Sequence, residues 1–134
     1  MEKKTKKTKT EKAEFNFREL NTFAKICIAD GTTEEAFNKK WPESKFDLDT
    51  IFYEKNKMIT RVINNGWKPD YKNTSQQKWE CWSRVLPSGV GFVRSDSFYD
   101  RTLTLVGVRL VFECEEKANF FIETFEKERI GFLL

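Results

Sequence analysis

Apolar positions recur at helical spacing up to about residue 63 and at two-residue spacing from about residue 79, with one change of period between them. Phe15, Phe17, Leu20, Phe23, Ala24, Cys27 and Ile28 fall three or four apart, predicting an amphipathic helix over about residues 19–29 that Asp30 and Gly31 end. Thr32 or Thr33 is placed to cap a short second helix, with Glu34 and Glu35 in the first turn, where the helix dipole favours negative charge. Its inward side is Ala36, Phe37 and Trp41, and Pro42 stops it; the alternative is a loop pinned by Phe37 and Trp41. The longest signal is the stripe Leu48, Ile51, Phe52, Met58, Ile59, Val62 and Ile63, interrupted only by Lys55 and capped by Asp47 or Asp49.

Residues 64–82 form the corner between the two periods. Gly66 suits the left-handed conformation that closes a helix, Pro69 prevents its resumption, and Trp67 is placed to fold back over the helix end. Beyond the corner, Trp79, Cys81, Ser83 and Val85 alternate with Lys78, Glu80, Trp82 and Arg84, as on a strand with two different faces. Leu86-Pro87-Ser88-Gly89 predicts a reversing turn into a second strand over residues 90–95. After a polar connection at 96–101, a third strand over 102–112 directs Val106, Val108, Leu110 and Phe112 toward the helices. Glu115 and Glu116 open a last helix with Ala118, Phe121, Ile122 and Phe125 on one face and Phe120 beside it. The closing run, Ile130 to Leu134, is too apolar for water and is expected to pack back or to meet a partner. The expected fold is α+β: N-terminal helices, a three-stranded antiparallel sheet, and a C-terminal helix packed on one sheet face.

A chain of 134 residues with 13 Phe and 4 Trp supports a single core, so one α+β domain is expected over residues 14–134. Residues 1–13 are expected to be a disordered lysine-rich tail. Six lysines against two glutamates give residues 1–12 a charge of +4, which leaves −1 of the total +3 for the rest. The tail reads either as an electrostatic arm for an anionic partner or as a solvated terminus. No apolar run reaches the roughly 20 residues that span a bilayer, and no signal-peptide pattern follows the charged start, so a cytoplasmic protein with no membrane partner is expected. Cys27, Cys81 and Cys114 are odd in number and widely spaced, which argues for reduced, mostly buried thiols.

The chain contains no histidine, which removes Ser-His and Cys-His nucleophile pairs, histidine proton shuttles and His-bearing zinc sites within one chain. Three cysteines without a Cys-x-x-Cys cannot furnish a four-sulfur zinc site, and no phosphate-binding glycine motif occurs. Neither a cofactor nor a metal is expected. Asp47 and Asp49 read as caps rather than paired acids. Glu80, Asp96 and Asp100 could gather near one end of the sheet for metal-assisted hydrolysis, although turn chemistry and solvation account for them. A sharper candidate is the sheet face away from the helices, where Trp82, Arg84, Arg94 and Arg109, with Phe92, would combine stacking surface and positive charge. Such a face serves protein recognition, and equally the stacking of unpaired bases.

The segments Asn64-Asn65-Gly66-Trp67-Lys68-Pro69-Asp70-Tyr71, Gln77-Lys78-Trp79, Gly89-Val90-Gly91-Phe92 and Val106-Gly107-Val108-Arg109-Leu110-Val111-Phe112, with Ala118 and Phe125, resemble a family of small uncharacterised proteins of Bacteroides-type bacteria, their phages and mobile elements. The resemblance covers residues 47–134. It departs at Cys81-Trp82-Ser83, where that family tends to Pro-Trp-Phe, and at Cys114, where it has serine. It implies a phage or mobile-element origin and no mechanism. The expected protein is thus an uncharacterised accessory or interaction protein that binds an unknown protein partner without catalysis. The alternative is a single-stranded nucleic-acid-binding module using the lysine tail and the aromatic and arginine face.

Overall fold

Thr22, with extended backbone, accepts the amide of Lys25 on its hydroxyl and so starts the first helix at Phe23, four residues later than the apolar spacing suggests. The segment before it is a 3-10 turn, Phe17–Glu19, capped by Asn16. In this computed structural model residues 15–73, 75–85, 92–100 and 110–130 are described, without the side chains of 82–85, 92–100 and 130. The lysine-rich tail, the turn at 86–89, most of the expected third strand and the last four residues therefore lie outside the described residues.

Helix α1 (Phe23–Ala29) buries Phe23, Ile26 and Cys27 and leaves Ile28 68% exposed. The buried face thus includes Ile26 in place of the expected Ile28, and Leu20 packs against the core from the preceding turn. Gly31 at φ +84° closes α1, its amide bonding to the Ile28 carbonyl and that of Thr32 to the Cys27 carbonyl, the paired pattern that satisfies a helix's last acceptors. Helix α2 (Glu34–Lys40) starts from the Thr33 cap and buries Phe37, while Ala36, expected inside, is exposed.

Helix α3 (Leu48–Asn64) is capped by Asp47, whose Oδ1 accepts the Thr50 amide at 3.0 Å. Ile51, Ile59, Val62 and Ile63 are buried as the stripe predicts; Leu48, in the first turn, is 45% exposed. Lys55, the one interruption, is half-buried with Nζ 5.2 Å from the Phe23 ring and 5.3 Å from that of Phe52, so its charge lies against aromatic faces. The left-handed turn closing α3 begins at Asn65 (φ 47°), one residue before Gly66 (φ 91°). Asparagine tolerates this region because its short polar side chain bonds locally. The Trp67 amide then bonds back to the Asn64 carbonyl at 3.1 Å.

Strands β1 (Lys78–Val85) and β2 (Phe92–Asp100) pair antiparallel from Lys78 opposite Asp100 to Val85 opposite Phe92, with a register shift between Arg84 and Val85 that leaves Val93 as the extra residue. The polar connection expected at 96–101 is thus strand up to Asp100. On the other side of β1 only β3 (Val111–Phe112) is described, pairing Trp79 with Phe112 and Glu80 with Val111. The α+β class stands, on five α-helices and an antiparallel strand pair among the described residues; three full-length strands are not shown.

Helix α4 (Glu115–Thr124) packs against all three strands. Cys114 holds its N-cap position without a side-chain cap bond. The single last helix expected from the spacing is broken at Phe125, after which α5 (Glu126–Ile130) packs on α3 and α4. One core joins Phe23, Phe37, Ile59, Ile63, Phe112, Ala118, Phe121 and Phe125, with Trp79 and Cys81 of β1 against it.

Candidate functional site

The alternation along β1 holds where its side chains are described: Trp79 and Cys81 pack on the core, and Cys81 Sγ lies 3.5 Å from the Ala118 carbonyl oxygen. Lys78, expected on an open face, is only 3% exposed. Its ammonium donates to the carbonyls of Asn73 at 3.2 Å and Gln76 at 3.3 Å and lies 5.8 Å from the Tyr71 ring. Those carbonyls converge because Asp70 accepts the Lys72 amide, Asn73 accepts the Ser75 amide, and the Gln76 side chain takes the Asp70 amide. Lys78 at the foot of the second sheet face is therefore covered by residues 70–73 and 75–76, which period-two reasoning along β1 could not foresee.

Of the candidate surface residues, Trp82 and Arg84 lie on β1 and Arg94 on β2, while Arg109 lies outside the described residues. The register sets Arg84 directly opposite Arg94 and Trp82 opposite Asp96, and it places Phe92 opposite Val85. Two arginines therefore occupy one rung of the ladder, next but one to a rung of tryptophan and aspartate. The acidic grouping is not assembled: Asp96 and Asp100 lie four residues apart on β2, about 13 Å along a strand, with Glu80 opposite Phe98 between them. Among the described residues no three metal-ligating side chains gather.

The three cysteines are free, Cys27 buried and the other two half-buried. Burial pushes the Cys81 thiol up to about 12, an effect the nearby Arg129 guanidinium partly offsets, and desolvation also raises Cys27 and Cys114. Such thiols are poor nucleophiles at neutral pH.

A cavity absent from the sequence reading opens between α3, Leu110 and α5. It has a volume of about 540 Å³ and is lined by Asp49, Thr50, Tyr53, Asn56, Leu110 and Arg129. Asn56 is 6% exposed; its Nδ2 donates to the Glu128 carbonyl at 3.1 Å, and its Oδ1 has no hydrogen-bond partner. Burial holds the Arg129 guanidinium below its ordinary pKa range, though it stays cationic at any physiological pH. Asp49, Tyr53 and Asn56 recur at helical spacing on one side of α3, where the polar side chains Thr60 and Asn64 continue the row. A polar row parallel to an apolar stripe was the available signal. A second groove of about 570 Å³, lined by Glu19, Leu20, Asn21, Lys25, Ile28 and Ala29, has no buried polar group in its walls.

Comparison of the chain with protein-family models, with curated proteins and with solved structures finds no match in any of the three. Among the described residues no helix is long and apolar enough to cross a membrane.

Proposed function

We propose that the protein is a non-catalytic interaction protein of the cytoplasm, of phage or mobile-element origin, that docks a protein partner on the β1–β2 ribbon. The observation that carries this reading is the outer edge of β2: β1 pairs with β2 from Lys78 to Val85, and among the described residues no strand lies on the other side of β2. In this reading the alternation set by Trp79 and Cys81 carries on, so that positions 82 and 84, with 94 across the ladder, form the surface away from α4; Arg109, the fourth candidate, lies outside the described residues. Trp and Arg are the residue types that anchor protein interfaces most strongly. Sequence supports the absence of catalysis, since without histidine the commonest acid-base and nucleophile pairs are missing. The resemblance over residues 47–134 supports the origin.

The second reading, binding of single-stranded nucleic acid, is favoured by one observation: Arg84 and Arg94 on a single rung concentrate positive charge where a backbone phosphate could bridge them. Immobilised full-length chain is exposed to lysate of a Bacteroides-type bacterium beside the triple variant Trp82→Ala, Arg84→Ala, Arg94→Ala. The first reading expects a defined protein retained in near-stoichiometric amount, kept when residues 1–12 are deleted and lost in the triple variant. Retention by the triple variant counts against the ribbon. A mobility shift of single-stranded DNA or RNA that weakens steeply with salt and disappears in the variant transfers the conclusion to the second reading.

A further inference from the structure

β2 is a long strand to stand at the margin of a sheet. It runs nine residues, Phe92–Asp100, and in the order β2-β1-β3 its second side meets no strand among the described residues. Alternate residues of such a margin direct their amides and carbonyls away from the neighbour they already have, a row of backbone groups that another extended chain can pair. Proline and lysine commonly blunt a sheet edge, and β2 contains neither. What it does contain, three charged residues and a register shift at one end, restricts which chain can pair with it.

We propose that the outer side of β2 pairs with β2 of a second copy of this chain, antiparallel and two-fold symmetric, with Ser97 on the axis. Residues opposite each other in an antiparallel ladder share a sheet face, so a two-fold axis between identical strands must fall on a residue. Axes at Ser95, Asp96 and Ser97 give the longest ladders within β2. An axis at Asp96 sets that aspartate against its own copy, which like-charge repulsion disfavours. An axis at Ser95 carries the ladder through residues 92 and 93, where the pairing with β1 shifts register. An axis at Ser97 uses residues 94–100 alone, all of them paired with β1 without a shift. It sets Arg94 of each copy opposite Asp100 of the other, so opposite charges meet at both ends of the ladder. Charge complementarity and regular backbone thus select the same register. The proposal shares the open edge of β2 with the docking reading, but its partner is the chain itself.

Sedimentation velocity of the full chain over a concentration series tests the assignment. The original chain is expected to pass from its monomer mass of 15.9 kDa to twice that, with half-association between about 10 and 100 μM, as suits an interface of less than standard size. Arg94→Asp sets aspartate opposite aspartate at both ends, and Asp100→Arg sets arginine opposite arginine. Each should weaken the dimer about tenfold, with circular dichroism showing that the variants are folded. Arg94→Asp combined with Asp100→Arg should recover it, because the pairs form again with their charges exchanged. A chain that stays monomeric up to about 1 mM overturns the proposal. So does a dimer that Asp100→Arg leaves as tight as before, the result of an axis at Ser95, whose ladder within β2 ends at Phe98. Asp100→Arg leaves the three substituted docking positions intact, so loss of the dimer and failure of the docking reading are told apart.

Discussion

Asn64 performs at the end of α3 what a neighbouring strand would otherwise do. Its buried amide donates to the Val111 carbonyl at 2.8 Å and accepts the Glu113 amide at 3.2 Å, so one side chain satisfies the backbone on both sides of Phe112. Its own carbonyl accepts from Trp67 and lies 3.5 Å from Lys117 Nζ, which also tethers the 65–67 corner and α4 to this residue. Asn64→Ala leaves two buried backbone groups without partners and should lower unfolding stability by about 2–4 kcal/mol, read from urea midpoints at constant slope. Asn64→Asp keeps the acceptor but loses the donor toward Val111, and should rescue little. A second effect at single-residue scale concerns pH. The Cys81 thiol has a folded pKa of about 12, raised first of all by burial, against 9.0 for an ordinary thiol. The folded state therefore holds its proton where the unfolded state releases it. The thiol's contribution is complete below pH 9 and is lost progressively as pH rises toward 12, with a limiting slope of about 1.4 kcal/mol per pH unit. Urea unfolding between pH 8 and 11 should show this decline, and Cys81→Ala should flatten it even though it lowers stability at pH 8.

Among the elements, α5 is joined to α3 by a side-chain hydrogen bond as well as by packing. It has five residues, fewer than an isolated helix needs, and the Asn56 amide on the Glu128 carbonyl joins it to α3. Asn56→Ala should therefore release amide-exchange protection over residues 126–130 while costing only about 1–2 kcal/mol globally. Protection that survives the substitution would show that α5 is held by packing alone. The position of α5 also marks where sequence reading stops. Thr33 and Asp47 were legible as caps, and Ile51, Ile59, Val62 and Ile63 as a buried stripe, because these depend on neighbours within two turns. The break at Phe125 was not, since its ring is fixed by Phe120 and Phe121 in the core and not by local helix propensity. Likewise Asp96, Ser97 and Asp100 read as part of a connection, yet the ladder opposite Lys78 to Trp82 carries them in β2; pairing across a ladder overrides weak strand propensity. Of the candidate surface, the types and approximate places of Trp82 and Arg84 were legible from alternation. The opposition of Arg84 and Arg94 was not, because it depends on the extra residue at Val93. The cavity was the least legible, since Leu110 and Arg129 approach α3 from distant parts of the chain.

At the scale of the whole molecule, the core has no seam between its helical beginning and its sheet-and-helix end. Phe23, Phe37 and Ile59 share one buried cluster with Phe112, Phe121 and Phe125, and the Phe112 and Phe121 rings lie 5.1 Å apart. Arg61 also clamps the end of α1 to α3, its Nη2 2.7 Å and its Nε 3.2 Å from the two Asp30 oxygens, although exposure of that pair limits its worth to about 1 kcal/mol. Removal of material from the middle of such a cluster should weaken both ends together. Phe112 is fully buried, so Phe112→Ala should cost about 3–5 kcal/mol through lost burial and the cavity left behind. Two optical probes sample different parts of the same cluster: far-UV circular dichroism follows α1 to α4, whereas tryptophan fluorescence includes Trp41 beside α2 and Trp79 on β1, both packed against it. The two unfolding curves should coincide in the original chain and should shift together in Phe112→Ala. An earlier fluorescence transition in the variant, with helical signal retained, would mean that α1 to α3 keep a core of their own. The sheet would then be an appended ribbon, and a partner bound there could no longer be coupled to the stability of the helices.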